Sequence, residues 1–312
     1  MRYRPFGRTG ISVSEIGIGC GSLGGPGKTG LETAIRRAVD LGINLFDTAD
    51  IYADGRSEMT LGEALAPIPR HQLVLATKFG TVRRLFGGYR KDFSVTHMRR
   101  TLERSLRNLR TDHVDIYQLH NPPAVCLGRD ELWRELDRML EAGKIRCYGL
   151  SCERTDLAQD FLASSRGRAL QMILNPLNQG SREMLDHLDA YGAGMLVKVP
   201  LAGGALTDRF SPAWPPRDDE RRRRWGESDF AERLRLTNAL RPILASEGRT
   251  LAQGALAWLL TLSPGVIPIP GITSLRAIEE TAAAAGLRLS QEEMTAIDGL
   301  DGGSLIGLRC PW

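Results

Sequence analysis

The chain has 312 residues, enough for two average domains or for one barrel of about 250 residues with insertions. Its 41 basic and 37 acidic side chains leave a net charge of only +4, and 42% of residues are hydrophobic, which suits a globular protein with no call on nucleic acid. The longest apolar run, Gly254 to Leu262, is far below the roughly 20 residues of a membrane helix, and Met1 to Phe6 lead into no apolar signal core. Five cysteines, odd in number and without a C-x-x-C pair, fit reduced thiols in a cytoplasm rather than a disulfide framework or a zinc site.

Along the chain, Tyr3 to Phe6 and Ile11 to Val13 flank Gly7-Arg8-Thr9-Gly10 and predict a short hairpin. Beyond it, short β-rich runs alternate with helical patterns almost to the end. The strand candidates are Ile16 to Cys20, Ile43 to Asp47, Leu73 to Lys78, Val114 to His120, Ile145 to Ser151, Ala169 to Leu174, Met195 to Val199 and Val266 to Ile269. Between them, Leu31, Ile35 and Val39 make a helical stripe that ends at Gly42, and Met98, Leu102, Leu106 and Leu109 make another that Ser94 is placed to cap. Ala202 to Gly226, rich in proline and arginine, reads as a long loop, and Ser290 with Glu293 forms a capping box for a last helix outside the repeats. Eight βα units predict a closed parallel barrel, and no linker divides it.

Reactive residues fall where these strands end: Asp47, Lys78, His120 and Ser151, with Tyr52 five residues past Asp47. Barrel strands converge on one rim at their carboxyl ends, so these residues become neighbours. A phenol with a pKa of about 10 needs help to exchange a proton at neutral pH. Lys78 can favour the phenolate, Asp47 can hold Lys78, and His120 can hydrogen-bond a carbonyl oxygen. A competing pattern is Gly19-Cys20-Gly21-Ser22-Leu23-Gly24, a G-x-G-x-x-G after a strand. Gly24 runs into Gly25-Pro26-Gly27, which opposes the helix a dinucleotide fold needs there, and a glycine loop at the barrel mouth is the reading preferred. His71, His97, His113 and His187 share no metal spacing, and Arg221 to Arg224 read as a solvated face.

The run Phe46-Asp47-Thr48-Ala49-Asp50-Ile51-Tyr52, followed by Ser57-Glu58 and Leu61-Gly62, resembles the aldo-keto reductase signature. Thr77-Lys78, Asp115 to Pro122, Gly149-Leu150-Ser151, Gln171 with Asn175, Pro200-Leu201 with Gly204 and Leu206, and Ile267 to Gly271 follow in that family's order, so the resemblance covers essentially the whole chain. It implies a (β/α)8 TIM barrel forming one domain over residues 1–312, a cytoplasmic monomer, and NADP(H)-dependent reduction of a small carbonyl compound, or oxidation of an alcohol. In that family hydride passes from the nicotinamide to the carbonyl carbon while the tyrosine protonates the oxygen, which assigns the proton to Tyr52 and support to Asp47, Lys78 and His120. The resemblance also places Ser151 and Gln171 at the carboxamide, Lys198 beside the nicotinamide, and Leu201 and Gly204 at the pyrophosphate. Gly271, Thr273, Ser274, Arg276 and Glu280 then fall at the adenosine end, where a helix N-terminus and Arg276 suit a 2′-phosphate. Cys152 and Thr281 stand where asparagine is common in the family. An NAD(H)-linked sugar or alcohol dehydrogenase and a cofactor-binding regulatory subunit are the alternative readings. The resemblance implies that loops such as Gly80 to Phe93 and Ala202 to Gly226 shape the substrate pocket; phenylalanine at position 86, Tyr89, Trp214 and Trp312 either line it or anchor their loops.

Overall fold

The computed structural model describes residues 1–25, 30–84, 87–164, 166–216 and 219–300. Strands β1 (Tyr3–Pro5) and β2 (Ser12–Ser14) pair antiparallel as the expected hairpin. Its turn demands Gly7: φ is +53°, and a Cβ there would lie 2.6 Å from the main chain of Ala193. The hairpin side chains Phe6, Ile11 and Val13 are buried against Leu45, Ala76, Ile116 and Leu196, so the hairpin plugs one end of the barrel with apolar surface. Full burial of one such side chain contributes about 1.5–3 kcal/mol.

The wall begins with β3 (Ile18–Gly19), β4 (Leu45–Asp47) and β5 (Val74–Phe79). A small antiparallel hairpin, β6 (Thr81–Arg83) with β7 (Tyr89–Lys91), then rises from the rim. The wall resumes with β8 (Val114–His120), β9 (Ile145–Ser151), β10 (Ala169–Ile173), β11 (Gly194–Lys198) and β12 (Val266–Pro268). All eight wall strands run parallel in chain order, and the N–H groups of Gly17 and Gly19, each 2.9 Å from Pro268 O and Pro270 O, close the ring between its two end strands.

Each wall strand is followed by a helix: α1 (Leu31–Asp40), α2 (Arg56–Leu65), α3 (Val95–Leu109), α4 (Asp130–Glu141), α5 (Thr155–Ala163), α6 (Met184–Tyr191), then α7 (Glu220–Leu244) with α8 (Leu251–Leu262), and α9 (Leu275–Ala283). The last helix, α10 (Gln291–Gly299), carries the foreseen capping box of Ser290 and Glu293, and Ser94 Oγ accepts from His97 N to cap α3. Two loop expectations are corrected. The segment after β5 forms a hairpin because Thr81–Arg83 can pair across a Gly87-Gly88 turn, and the long loop after β11 gives way to α7 at Glu220. Gly226, at φ 72° and ψ 169°, interrupts that helix rather than ending the loop. The buried Trp225 beside it packs with Phe210 and Phe230.

Candidate active site

Strand register assembles the site. Lys78 on β5 lies level with Gln118 on β8, and Ser151 on β9 lies level with both His120 on β8 and Gln171 on β10. Lys78 is wholly buried, and an ammonium out of water needs every donor satisfied. It has three N–H groups and three acceptors: Asp47 Oδ2 at 2.7 Å, the main-chain O of Thr48 at 2.8 Å and Tyr52 Oη at 3.4 Å. Asp47 is fixed in turn, its Oδ1 accepting from Gln171 Nε2 at 2.8 Å and Gln118 Nε2 at 3.2 Å. Because Lys78 can only donate, Tyr52 Oη accepts from it. The phenolic hydrogen is left over, and no described residue accepts it.

Burial pushes the Tyr52 phenol above its ordinary value, and Lys78 offsets only part of that rise. The expectation that Lys78 would bring Tyr52 toward phenolate is therefore corrected: the ammonium is shared with Asp47, and the resting phenol is neutral. His120 meets Tyr52 edge to face, with ring centroids 5.9 Å apart. Burial, reinforced by the charges of Lys78, Lys198 and Lys91, holds its imidazole well below the usual range, so the ring is neutral at pH 7, and its buried Nδ1 has no hydrogen-bond partner among the described residues. The Tyr52 loop is itself constrained. Ala53 and Asp54 take left-handed φ of 49° and 57°, and Asp50 Oδ2 accepts from Arg104 at 2.8 Å. Burial first, then the nearby Glu58, pushes the Asp50 carboxyl up to about 7, with Arg104 opposing.

The remaining positions run along the same rim. Ser151 Oγ donates to Gln171 Oε1 at 3.2 Å, so Gln171 links Ser151 to Asp47. Lys198 ends β11 with Nζ 3.7 Å from Glu153, and Gly204 N donates to Leu201 O at 2.8 Å in a short turn whose entry is strained, Val199 having φ 55° and Ala202 φ 50°. Past β12, Gly271 forms a bridge to Gly19, and Thr273, Ser274 and Arg276 are exposed. Ser274 caps α9 through Ala277 N at 3.1 Å, leaving the first N–H groups of that helix open. Arg276 makes no ion pair with a described residue, whereas Arg37 and Glu279 nearby are matched at 3.0 Å. Open main-chain donors beside an unspent guanidinium fit an anionic group such as a phosphate. Glu280 lies on the same helix, half-buried, and Thr281 is buried.

Glycines 19 to 24 start no helix; α1 begins only at Leu31, and a Cβ on Gly21 would meet the Tyr52 ring at 3.7 Å. Cys152 is buried and its thiol pushed up to about 12. No metal-binding cluster occurs among the described residues. Tyr89 is 64% exposed, Trp214 lies 4.8 Å under the Arg209 guanidinium, and positions 86 and 312 fall outside the described residues. Sequence reasoning missed Gln118, whose signal was present: a lone amide on the inward face of β8, two residues from Ile116 and His120. It also missed Lys91, which donates to His120 O at 2.8 Å, and the carbonyl of Thr48, which no side-chain pattern reveals.

Against known proteins, the family model described as Aldo/keto reductase family matches residues 15–302. The chain is 30% identical to the oxidoreductase YqkF of Bacillus subtilis over 95% of each chain. It is similar to the holo form of the aldo-keto reductase AKR11C1 from Bacillus halodurans, with TM-score 0.83, 28% identity and coverage of 99% of this chain and 97% of that one. An aldo/keto reductase from Klebsiella pneumoniae in complex with NADP and acetate follows with TM-score 0.71, 25% identity and coverage of 96% and 94%. With the barrel, the rim and these likenesses in agreement, the chain belongs to the aldo/keto reductase family and is an oxidoreductase.

Proposed function

We propose that this chain uses NADPH to reduce an aldehyde or ketone to the alcohol, reversibly, with the proton passing at Tyr52 Oη. One observation carries the reading: Lys78 saturates its three donors on Asp47, Thr48 and Tyr52, which leaves the phenolic O–H of Tyr52 free to donate. When bound, the cofactor supplies the hydride that reaches the carbonyl carbon. Tyr52 gives its proton to the carbonyl oxygen, and the phenolate that results lies beside a cation already in place. His120, neutral, adds one hydrogen bond to the same oxygen from a ring nitrogen. Asp47 keeps Lys78 charged and still. In the oxidative direction the phenolate takes the alcohol proton back.

Ser151 and Gln171 would hold the carboxamide, with Lys198 beside the ring; Leu201 and Gly204 would meet the pyrophosphate, and Gly271, Thr273, Ser274, Arg276 and Glu280 the adenosine end. Arg276, which has no ion pair among the described residues, supports NADP(H) over NAD(H), as does the NADP of the Klebsiella relative. The same reading takes residues 1–312 as one monomeric domain. The test is NADPH absorbance across a panel of carbonyl compounds. Tyr52→Phe should lower kcat/KM by about 10²–10⁴ while NADPH binding, read by fluorescence quenching, stays within about twofold. Full activity in that variant would end the proposal.

A further inference from the structure

The rim beside His120 carries more positive charge than proton transfer requires. Residues 81 to 91 include Arg83, Arg84, Arg90 and Lys91 and no acid. The β6–β7 register sets Lys91 opposite Thr81, and Lys91 Nζ is tied down at 2.8 Å to Thr81 Oγ1 and at 2.8 Å to His120 O. Two of its three donors are thus spent on holding it next to the His120 main chain. Lys198 leaves β11 on the same rim, and both charges bear on the His120 ring. Burial, then the like charge of Lys198, holds the Lys91 ammonium below its ordinary value, and Asp50 opposes this. The other acids nearby are committed: Glu153 lies 3.7 Å from Lys198, Asp54 pairs with Arg83, and Asp92 pairs with Arg90 at 3.0 Å. Like charges that both bear on one neutral imidazole are stabilised together by an anion bound at that rim.

We infer that the site selects carbonyl compounds bearing an anionic group, a carboxylate or a phosphate a few bonds from the carbonyl, and that Lys91 with Lys198 reads that group. This rests on the reductase reading above and adds its substrate class. Lys91 touches His120 only at its main-chain O and ranks last, after burial, Lys78 and Lys198, among the causes that keep that ring neutral, so its anchoring points to substrate selection.

Steady-state kinetics of the full chain with NADPH test it on matched pairs: 4-oxobutanoate against butanal for the carboxylate, glyceraldehyde 3-phosphate against glyceraldehyde for the phosphate. At least one anionic member should show kcat/KM about tenfold or more above its neutral partner, carried in KM and weakened by salt, and the pair that does so names the group. In Lys91→Met that ratio should fall toward one, and Lys91→Arg should restore it. Equal kcat/KM within both pairs, or a Lys91→Met protein that loses both members of a pair equally, overturns the inference. A protein that oxidises no NADPH with any of the four fails as a reductase. Succinate binding then decides separately: quenching present in the parent and lost in Lys91→Met upholds the anion site, and its absence from the parent overturns it.

Discussion

The two ends of the barrel treat buried charge in opposite ways. At the hairpin end, Asp115 is wholly buried with both oxygens in use: Arg70 at 2.6 Å, Arg146 at 2.7 Å and the N–H of Leu75 at 2.8 Å. Glu15 is likewise held by Arg4, Arg288 and the N–H of Gly286, and against the upward push of burial Arg288 and Arg4 keep its carboxyl below the usual range. At the carboxyl end, His120 Nδ1, Gln118 Oε1, Asn121 Oδ1 and Asp50 Oδ1 are buried without partners among the described residues. There too the backbone of Ala53, Asp54, Asn121, Val199 and Ala202 turns to positive φ. Unspent polar groups and strained main chain cost stability, so they persist where something else is gained. One end is built to hold, the other to react.

The sharpest way to break this contrast is at Lys78. Lys78→Met removes the cation and leaves Asp47 buried opposite a thioether, which costs about 3–5 kcal/mol of stability. The same change deprives the Tyr52 phenolate of its counter-charge, so turnover should fall by about 10³ or more even in protein that stays folded. Urea denaturation and single-turnover NADPH oxidation measure the two losses separately. A stable, active Lys78→Met protein would erase the distinction between the ends.

The converse change is at Asp115. Asp115→Ala strands the buried N–H of Leu75 but leaves two guanidiniums that reach solvent, their side chains being 23% and 45% exposed. The expected loss is about 2–3 kcal/mol, smaller than at Lys78 because water takes up the arginines. kcat should not change. A fall in kcat at saturating NADPH, measured well below the unfolding midpoint, would show that the two ends are coupled.

How much of this was legible beforehand differs between the ends in the same way. The wall strands could be read because a β-rich run such as Val114–His120 or Ile145–Ser151 has no other favourable fate between amphipathic helices, and both were bounded to the residue. Asp47, Lys78 and His120 could be read because strand ends converge. The β6–β7 hairpin could not, since Thr81, Arg83, Arg90 and Lys91 carry no apolar alternation and pair only because the rim brings them together. The direction of the Tyr52 shift was misjudged because charge is visible in a sequence and burial is not: Lys78 was plain, while the desolvation that outweighs it is a property of the assembled barrel. Asp115 was seen only as part of a family motif, its partners Arg70 and Arg146 lying 45 and 31 residues away.

The smallest effect tests which end Asp50 belongs to. Its carboxyl sits at about 7, where an unfolded aspartate titrates near 4. The folded chain therefore holds a proton that the unfolded chain has released, and stability falls as pH rises from about 4 to about 7. Asp50→Asn removes that fall. Compared with the parent by urea midpoint, the variant should gain on the order of 1 kcal/mol between pH 5.5 and pH 8, because the parent alone must ionise a buried acid. Its partner Arg104 has a side chain 49% exposed and finds water at little cost. If instead the variant weakens more at pH 8 than at pH 5.5, Asp50 is an ionised anchor for Arg104, matched like Asp115, and the divide between the two ends does not reach the Tyr52 loop.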